Sequence, residues 1–163
     1  MRLGTTLALV VVFVAHSGWR AQHAGSANDV AYPDGYRAWT HVKSALVGPG
    51  HRRFETVGGF QHIYANPRAM EGYRTRVFPE GSVVVVDWLE LRDNAGAFDE
   101  GPRRQLDVMV KDSLRFAATG GWGFQRFAKD SRTDRAVAPT SQECFACHMQ
   151  LKKDGLILSR FRP

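Results

Sequence analysis

Cysteine is scarce in this chain: Cys144 and Cys147 are the only two among 163 residues. Two thiolates need two histidines to complete a structural zinc site, and no His-x₃₋₅-His pair follows the first 27 residues. The sequence also has no low-complexity run and no internal repeat, which excludes repeat architectures. With 44% hydrophobic and 23% charged residues, the rest of the composition is that of one globular domain.

A membrane-spanning apolar run is missing as well. Residues 7–15 are apolar but too few to cross a bilayer comfortably; they follow Arg2 and precede small residues, the layout of a secretory signal peptide. We predict a signal peptide over residues 1–27, a single domain over residues 28–163 and a periplasmic or otherwise exported protein. An uncleaved N-terminal anchor is the alternative.

The charge of the chain is mildly basic. Loss of Arg2 and Arg20 with the signal peptide would lower the formal net charge from +6 to +4. This charge suits docking to acidic redox proteins or membrane surfaces, and we expect no nucleic-acid partner.

Helices are predicted towards the two ends of the mature chain. Tyr36, Trp39, Val42 and Leu46 recur at helical spacing, and the Gly-Pro-Gly at residues 48–50 would end that helix. A second helix should begin after Asn66, a capping residue followed by proline, and run to Arg74. Near the other end, Thr140 and Glu143 match a capping box, which predicts a helix that carries both cysteines.

The middle of the chain predicts strands. Residues 82–91 include four successive valines and are apolar on both faces at first, which is typical of a central strand. Residues 106–110 alternate as a half-exposed strand would. The other predicted extended segments are residues 54–65 and 120–127, and residues 93–102 and 129–138 are predicted to be polar or charged connections. Strands in the middle and helices at the ends indicate an α+β fold, with the apolar tail from residue 155 packing back onto the core.

The two cysteines belong to a Cys-x-x-Cys-His sequence, the attachment pattern of haem c. On a helix, Cys144 and Cys147 share a face, so their sulfurs can form thioethers with neighbouring vinyl groups. His148 can then bind the iron as proximal ligand, and its other ring nitrogen should bond a carbonyl or carboxylate. A redox dithiol would need a βαβ framework, and none precedes the motif. A plain disulfide would leave the histidine unexplained.

The opposite iron ligand is not evident from the sequence. Met149 is adjacent to His148 and cannot reach the other haem face, and Met70 and Met109 are more typical of core or surface side chains. Single histidines at positions 41, 51 and 62 are usually structural or exposed. We therefore expect an open or weakly held sixth position that admits a small ligand. The valine strand argues against the four-helix cytochromes c′, which also carry the motif near the C-terminus.

Beyond this motif, the mature chain resembles the cytochrome P-460 family, which includes the cytochromes c′-beta. The resemblance covers nearly all of it and rests on the order of five stretches: GYRAWTHV, HIYANPRAMEGYRTRVFPEGSVVVV, VKDSLRF, GGWGFQRF and ECFACHMQLKKDGLILSRF. It implies a mainly antiparallel sheet with flanking helices, one covalent haem c with His148 as proximal ligand, and a homodimer.

The resemblance also bears on the open iron face. Family members that oxidise hydroxylamine carry a lysine cross-linked to the haem, at a position that corresponds to Val86, and residues 82–92 contain no lysine. The resemblance therefore places the chain closer to the non-cross-linked members. Gas-binding relatives cover this face with phenylalanines, for which Phe78 is the first candidate and Phe54 and Phe60 are the next.

Further side chains are candidates for the haem pocket. Trp122 and Phe124 would form its walls, and Gln125 would stand in the region of a distal carboxylate. The candidates for pairing with the haem propionates are Arg126, Arg160 and Arg162.

We predict an exported mono-haem c cytochrome that binds NO or a similar small ligand. One alternative is an oxidoreductase acting on hydroxylamine or NO, against which the missing lysine weighs. The other is a periplasmic electron carrier with a redox partner protein, against which the missing axial methionine weighs.

Overall fold

A computed structural model describes residues 29–136 and 139–162, so the predicted signal peptide lies outside the described residues. Five strands form one antiparallel sheet in which every strand pairs with its neighbour in sequence. The strands are β1 (Thr40–Val47), β2 (Gly59–Ala65), β3 (Val83–Asn94), β4 (Ala97–Lys111) and β5 (Trp122–Ala128). The α-helices are α1 (Phe54–Val57), α2 (Pro67–Thr75) and α3 (Ser141–His148). This architecture confirms the predicted α+β fold with a helix near the C-terminus. None of the helices in the described ranges is long and apolar enough to cross a membrane.

The local signals at the helix starts are confirmed. The Asn66 side chain accepts a hydrogen bond from the Ala69 amide at 2.8 Å, with proline at the first position of α2. At α3 the capping box is complete: the Glu143 amide donates to Thr140 Oγ1 at 3.3 Å, and the Thr140 amide donates to the Glu143 carboxylate at 2.6 Å. Each cap satisfies amide groups that a helix start otherwise leaves without partners.

The predicted first helix is wrong. Residues Tyr36–Ala38 form a single 3₁₀ turn, and the chain then continues as β1, which pairs along its length with β2. The pairing register shifts between His41 and Lys43. Such an irregularity breaks the two-residue period of a strand. The apolar residues of this segment therefore recur at a spacing that resembles that of a helix.

Two predicted boundaries also change. Residues 54–65 are not extended throughout, because α1 precedes β2. The predicted polar loop over residues 93–102 is instead the outer part of a β3–β4 hairpin, which turns at Ala95 and Gly96 with φ of 52° and 90°. Positive φ at both turn residues matches the twist of the strands, and the segment is polar because it extends beyond the core.

The sheet has a covered face on either side. On one face, Val85, Leu106 and Phe127 pack beneath the N-terminal segment. On the other, Val84, Met109 and Phe124 pack against α2 and the C-terminal tail, where Leu156 and Ile157 are buried as predicted. The strand predicted at residues 106–110 is thus confirmed within β4, although it is buried on both sides. The second face positions the site described next.

Candidate haem-binding site

The helix α3 places both cysteines near the second sheet face. Cys144 is half-buried and packs against the core, whereas Cys147 is exposed, and no disulfide joins them. Burial raises the pKa of the Cys144 thiol, and the nearby Asp107 carboxylate raises it further. Because no disulfide joins them, both sulfurs remain available for another covalent partner.

The imidazole of His148 has one fixed nitrogen. Its Nδ1 lies 2.6 Å from the Leu156 carbonyl oxygen, because the chain curls back through positive φ at Gly155 and Leu156. Nδ1 is therefore the protonated nitrogen, and Nε2 keeps a free lone pair, the state that a metal ligand requires. Burial lowers the pKa of His148, although the Leu156 carbonyl partly opposes this, so the ring stays neutral near pH 7. The predicted carbonyl partner of this histidine is thus present.

A cavity of about 250 Å³ lies between His148 and the second sheet face. Its wall is largely apolar and includes Phe124, whose ring meets the His148 ring edge-on at 5.2 Å between centroids. The other apolar lining residues include Ile63, Val84, Val86, Met109 and Ile157. Its polar lining residues include Lys43, Gln61, Trp88, Asp107 and Gln125. A mostly apolar cavity with a few polar groups is typical of a cofactor site.

The carboxylate that lines this cavity, that of Asp107, forms an ion pair with Arg126. Arg126 binds Asp107 with two hydrogen bonds of 2.6 and 2.7 Å across directly paired positions of β4 and β5. Both side chains are about three-quarters buried, so the pair is shielded from water. Burial lowers the pKa of Arg126, but the hydrogen bonds and the charge of Asp107 outweigh it, so the pKa is raised; Cys144 lies close enough to contribute a smaller effect in the same direction. Arg126, a predicted partner of haem propionates, is already paired within the protein.

The family model for cytochrome P460 matches residues 33–159. The chain belongs to the cytochrome P460 family. The predicted family is thus confirmed, and the cofactor that membership implies is haem. Comparison with curated proteins finds no match.

The residues of this cytochrome P460 chain fit a haem group. The indole Nε1 of Trp88 is buried beside the cavity without a hydrogen-bond partner among the described residues. A buried N–H without an acceptor is costly, so it indicates an acceptor that the protein chain does not supply. The free Nε2 of His148 and the two unpaired thiols complete a donor set suited to a covalently held iron porphyrin.

The structure separates the predicted aromatic residues. Phe124 lies in the cavity beside His148. Phe78 and Trp122 do not line it; they are buried deeper in the core, edge-to-face at 5.6 Å between ring centroids, beside a second cavity that Met149 also lines. Phe54, at the start of α1, and Phe60, which stacks on His62, do not line the cavity either.

Several residues that line the cavity were not predicted from the sequence. Trp88 follows Val84 and Val86 at a spacing of two along β3, and this alternation could have assigned it to the same face. Lys43 was not assigned to the cavity because its segment was predicted to be a helix rather than β1. The contact of the Leu156 carbonyl with His148 could not be predicted, because it depends on the path of the C-terminal tail. Of the remaining predicted arginines, Arg160 is largely exposed, with Asp154 at 3.7 Å, and Arg162 is exposed.

Proposed function

We propose that this cytochrome P460 protein is an exported mono-haem c cytochrome whose open or weakly held distal iron site binds NO or a similar small ligand. The single observation that carries the proposal is the orientation of His148. Its Nδ1 is fixed by the Leu156 carbonyl, so one imidazole nitrogen is left as a ligand beside a mostly apolar cavity.

Each residue of the motif has a separate role in this proposal. Cys144 and Cys147 would hold the haem through thioethers on α3, where the capping box stabilises the helix. His148 would bind the iron, and the chemistry that a bound haem would supply is an iron centre for a small ligand. Phe124 restricts rotation of the imidazole through its edge contact, and the apolar wall excludes water from the ligand.

The cavity wall supports an open distal position. Ile63, Val84 and Val86 have no atom that can bind iron. Asp107 is a poor ligand candidate because Arg126 engages both of its carboxylate oxygens. None of the predicted lid residues Phe54, Phe60 and Phe78 lines this wall. Apart from Gln61, its residues on β2 and β3 are Ile63, Val84, Val86 and Trp88, so access would be limited by branched side chains and an indole instead.

A second candidate function is electron transfer. Met109 is almost fully buried and lines the same cavity, and its thioether is an established axial ligand in cytochromes c. We favour the open site because Met109 pairs directly with Phe124 across the sheet and packs in the core cluster with it. A methionine held by core packing is less free to reach an iron atom.

Oxidation of hydroxylamine is the least supported activity. Val86 stands in the cavity wall in the region of the family's cross-linking lysine, and β3 contains no lysine. Lys43 does line the cavity, but it belongs to the edge strand β1 and is exposed.

The experiment that separates these functions compares the wild type with Met109→Leu, a replacement of similar volume. If the distal site is open, both reduced proteins bind NO and CO with affinities within about threefold of each other, a difference of less than 1 kcal/mol. If Met109 is an axial ligand, the substitution converts a low-spin ferrous spectrum into a high-spin one. Peptide mass mapping should find one haem on Cys144 and Cys147 and no third haem–peptide link.

The proposal of export rests on the predicted signal peptide, and the proposal of a homodimer rests on the resemblance to the family. We expect the mature protein in the periplasmic fraction after cleavage near residue 27. We also expect a homodimer, which sedimentation of the purified protein would detect as about twice the mass of one chain.

A further inference from the structure

The cavity beside His148 runs obliquely across the sheet. In the row of paired residues nearest α2, it is lined on β3, β4 and β5 by Val84, Met109 and Phe124. Four residues further along β3, it is lined on β1, β2 and β3 by Ala45, Gln61 and Trp88. One end therefore lies near the β5 side, and the other lies towards the edge strand β1.

The two ends differ in charge: the β1 end carries a lysine, whereas the carboxylate at the other end is paired with an arginine. Lys43 is the only lysine or arginine among the lining residues, and it belongs to the β1 end. Asp107 is the only carboxylate among them, and it lies at the other end with Arg126 and Cys144. Apart from these two groups, His148 is the only ionisable side chain in the lining.

The unpartnered N–H of Trp88 lies towards the same end as Lys43. Its indole Nε1 has no acceptor among the described residues, although a buried donor is normally satisfied. Gln61, which faces Trp88 directly across β2 and β3, donates its own amide to the Val57 carbonyl at 3.1 Å. A cation and an unsatisfied N–H at one end of an apolar cavity suit an anionic acceptor such as a carboxylate.

We propose that Lys43 and Trp88 bind the propionate carboxylates of the haem and so fix its orientation in the cavity. The inference rests on the proposed haem c site. In the porphyrin, the two vinyl groups and the two propionates lie on opposite edges of the ring. The thioether at Cys144 places the vinyl edge at the Asp107 end, and the propionate edge then meets Lys43 and Trp88 at the β1 end. Charge agrees with this orientation, because the reverse would bring the propionates towards the Asp107 carboxylate, whose partner Arg126 is already engaged by it.

The test uses the covalent haem protein and the pH dependence of its reduction potential. Ionisation of a propionate changes the potential, so the pH of this step reports the pKa of the carboxylate. Lys43→Met should raise the pH of the step by about 0.5–1 unit, the size expected for loss of one partly exposed ion pair. Trp88→Phe, which keeps the ring but removes the N–H, should raise it as well, and Lys43→Arg should restore the wild-type value.

Two control variants make the result specific. Lys153→Met removes an exposed lysine that lies outside the cavity, so it corrects for net charge. Arg126→Gln tests the reverse orientation. Equal shifts in Lys43→Met and Lys153→Met, or a shift in Arg126→Gln with none in Lys43→Met, would overturn the inference while leaving the haem c site intact. A wild-type protein without covalent haem would overturn both proposals.

Discussion

Asp87 offers the sharpest test of how the sheet is held together on the face opposite the haem cavity. Its carboxylate is fully buried and accepts four hydrogen bonds. Arg103 supplies two of them at 2.6 and 3.1 Å, Tyr36 one at 2.6 Å and Arg37 one at 2.9 Å. Asp87→Asn keeps the shape of the side chain but removes its charge and turns an N–H₂ group towards these donors.

The size of the effect follows from the exposure of the partners. Breaking a buried ion pair by removing one charge costs about 3–5 kcal/mol. Arg37 is 59% exposed and regains water, and Arg103 keeps its second partner Asp130, so we expect the lower end, about 3 kcal/mol. Burial alone disfavours ionisation of Asp87, but hydrogen bonds from Arg103 and Tyr36 outweigh it and lower the pKa. This stabilisation is therefore complete above the unfolded pKa of about 3.9 and is lost as pH falls below it.

The assay is urea unfolding of the haem protein at pH 7 and again below pH 4. The free-energy gap between wild type and Asp87→Asn should be full at pH 7 and should narrow in acid. Asp130→Asn is the matched control, because Asp130 pairs with the same arginine but is 77% exposed and should cost less than about 1 kcal/mol. Equal losses in the two variants would refute the reasoning. CO binding should not change in either variant, since Asp87 faces away from the cavity.

Two substitutions and one labelling experiment test the cap of α3, the packing of α2 and the exposure of the two cysteines. Thr140→Ala removes the helix cap and should lower the free energy of unfolding by about 1 kcal/mol, with Thr140→Ser nearly neutral; an equal loss in both would contradict the capping role. Gly72→Ala should cost about 1–2 kcal/mol in urea unfolding despite its better helix propensity, because the new Cβ would collide with the ring of Phe78; an unchanged or higher stability would contradict this close packing. In haem-free protein, iodoacetamide should alkylate exposed Cys147 before half-buried Cys144, as peptide masses over time would report; the reverse order would contradict the placement of α3.

The parts of the fold that sequence could predict are those with a local physical cause. The α3 capping box depends on two side chains three residues apart, and the valines of β3 favour a strand wherever they occur. The prediction of the first helix was wrong because the cause there is not local: β1 is defined by its pairing with β2 and by an irregular register. The long hairpin was missed because its polar residues report exposure at the edge of the fold rather than a loop.

The candidate site divides in the same way. Cys144, Cys147 and His148 lie within five residues of one another, so their spacing alone indicates haem c chemistry. The opposite wall gathers Ile63, Val86 and other residues from separate strands, and only the sheet register brings them together. Trp88 shows the limit most clearly, because the lack of a partner for its N–H is visible only once the fold is known.

We propose that this cytochrome P460 protein holds a haem c through α3 and leaves the distal side of the iron open. The most direct test is the absorption spectrum of the reduced wild-type protein before and after addition of CO. We predict a five-coordinate, high-spin ferrous haem that converts fully to a CO complex. A six-coordinate, low-spin ferrous spectrum that does not change with CO would contradict the account.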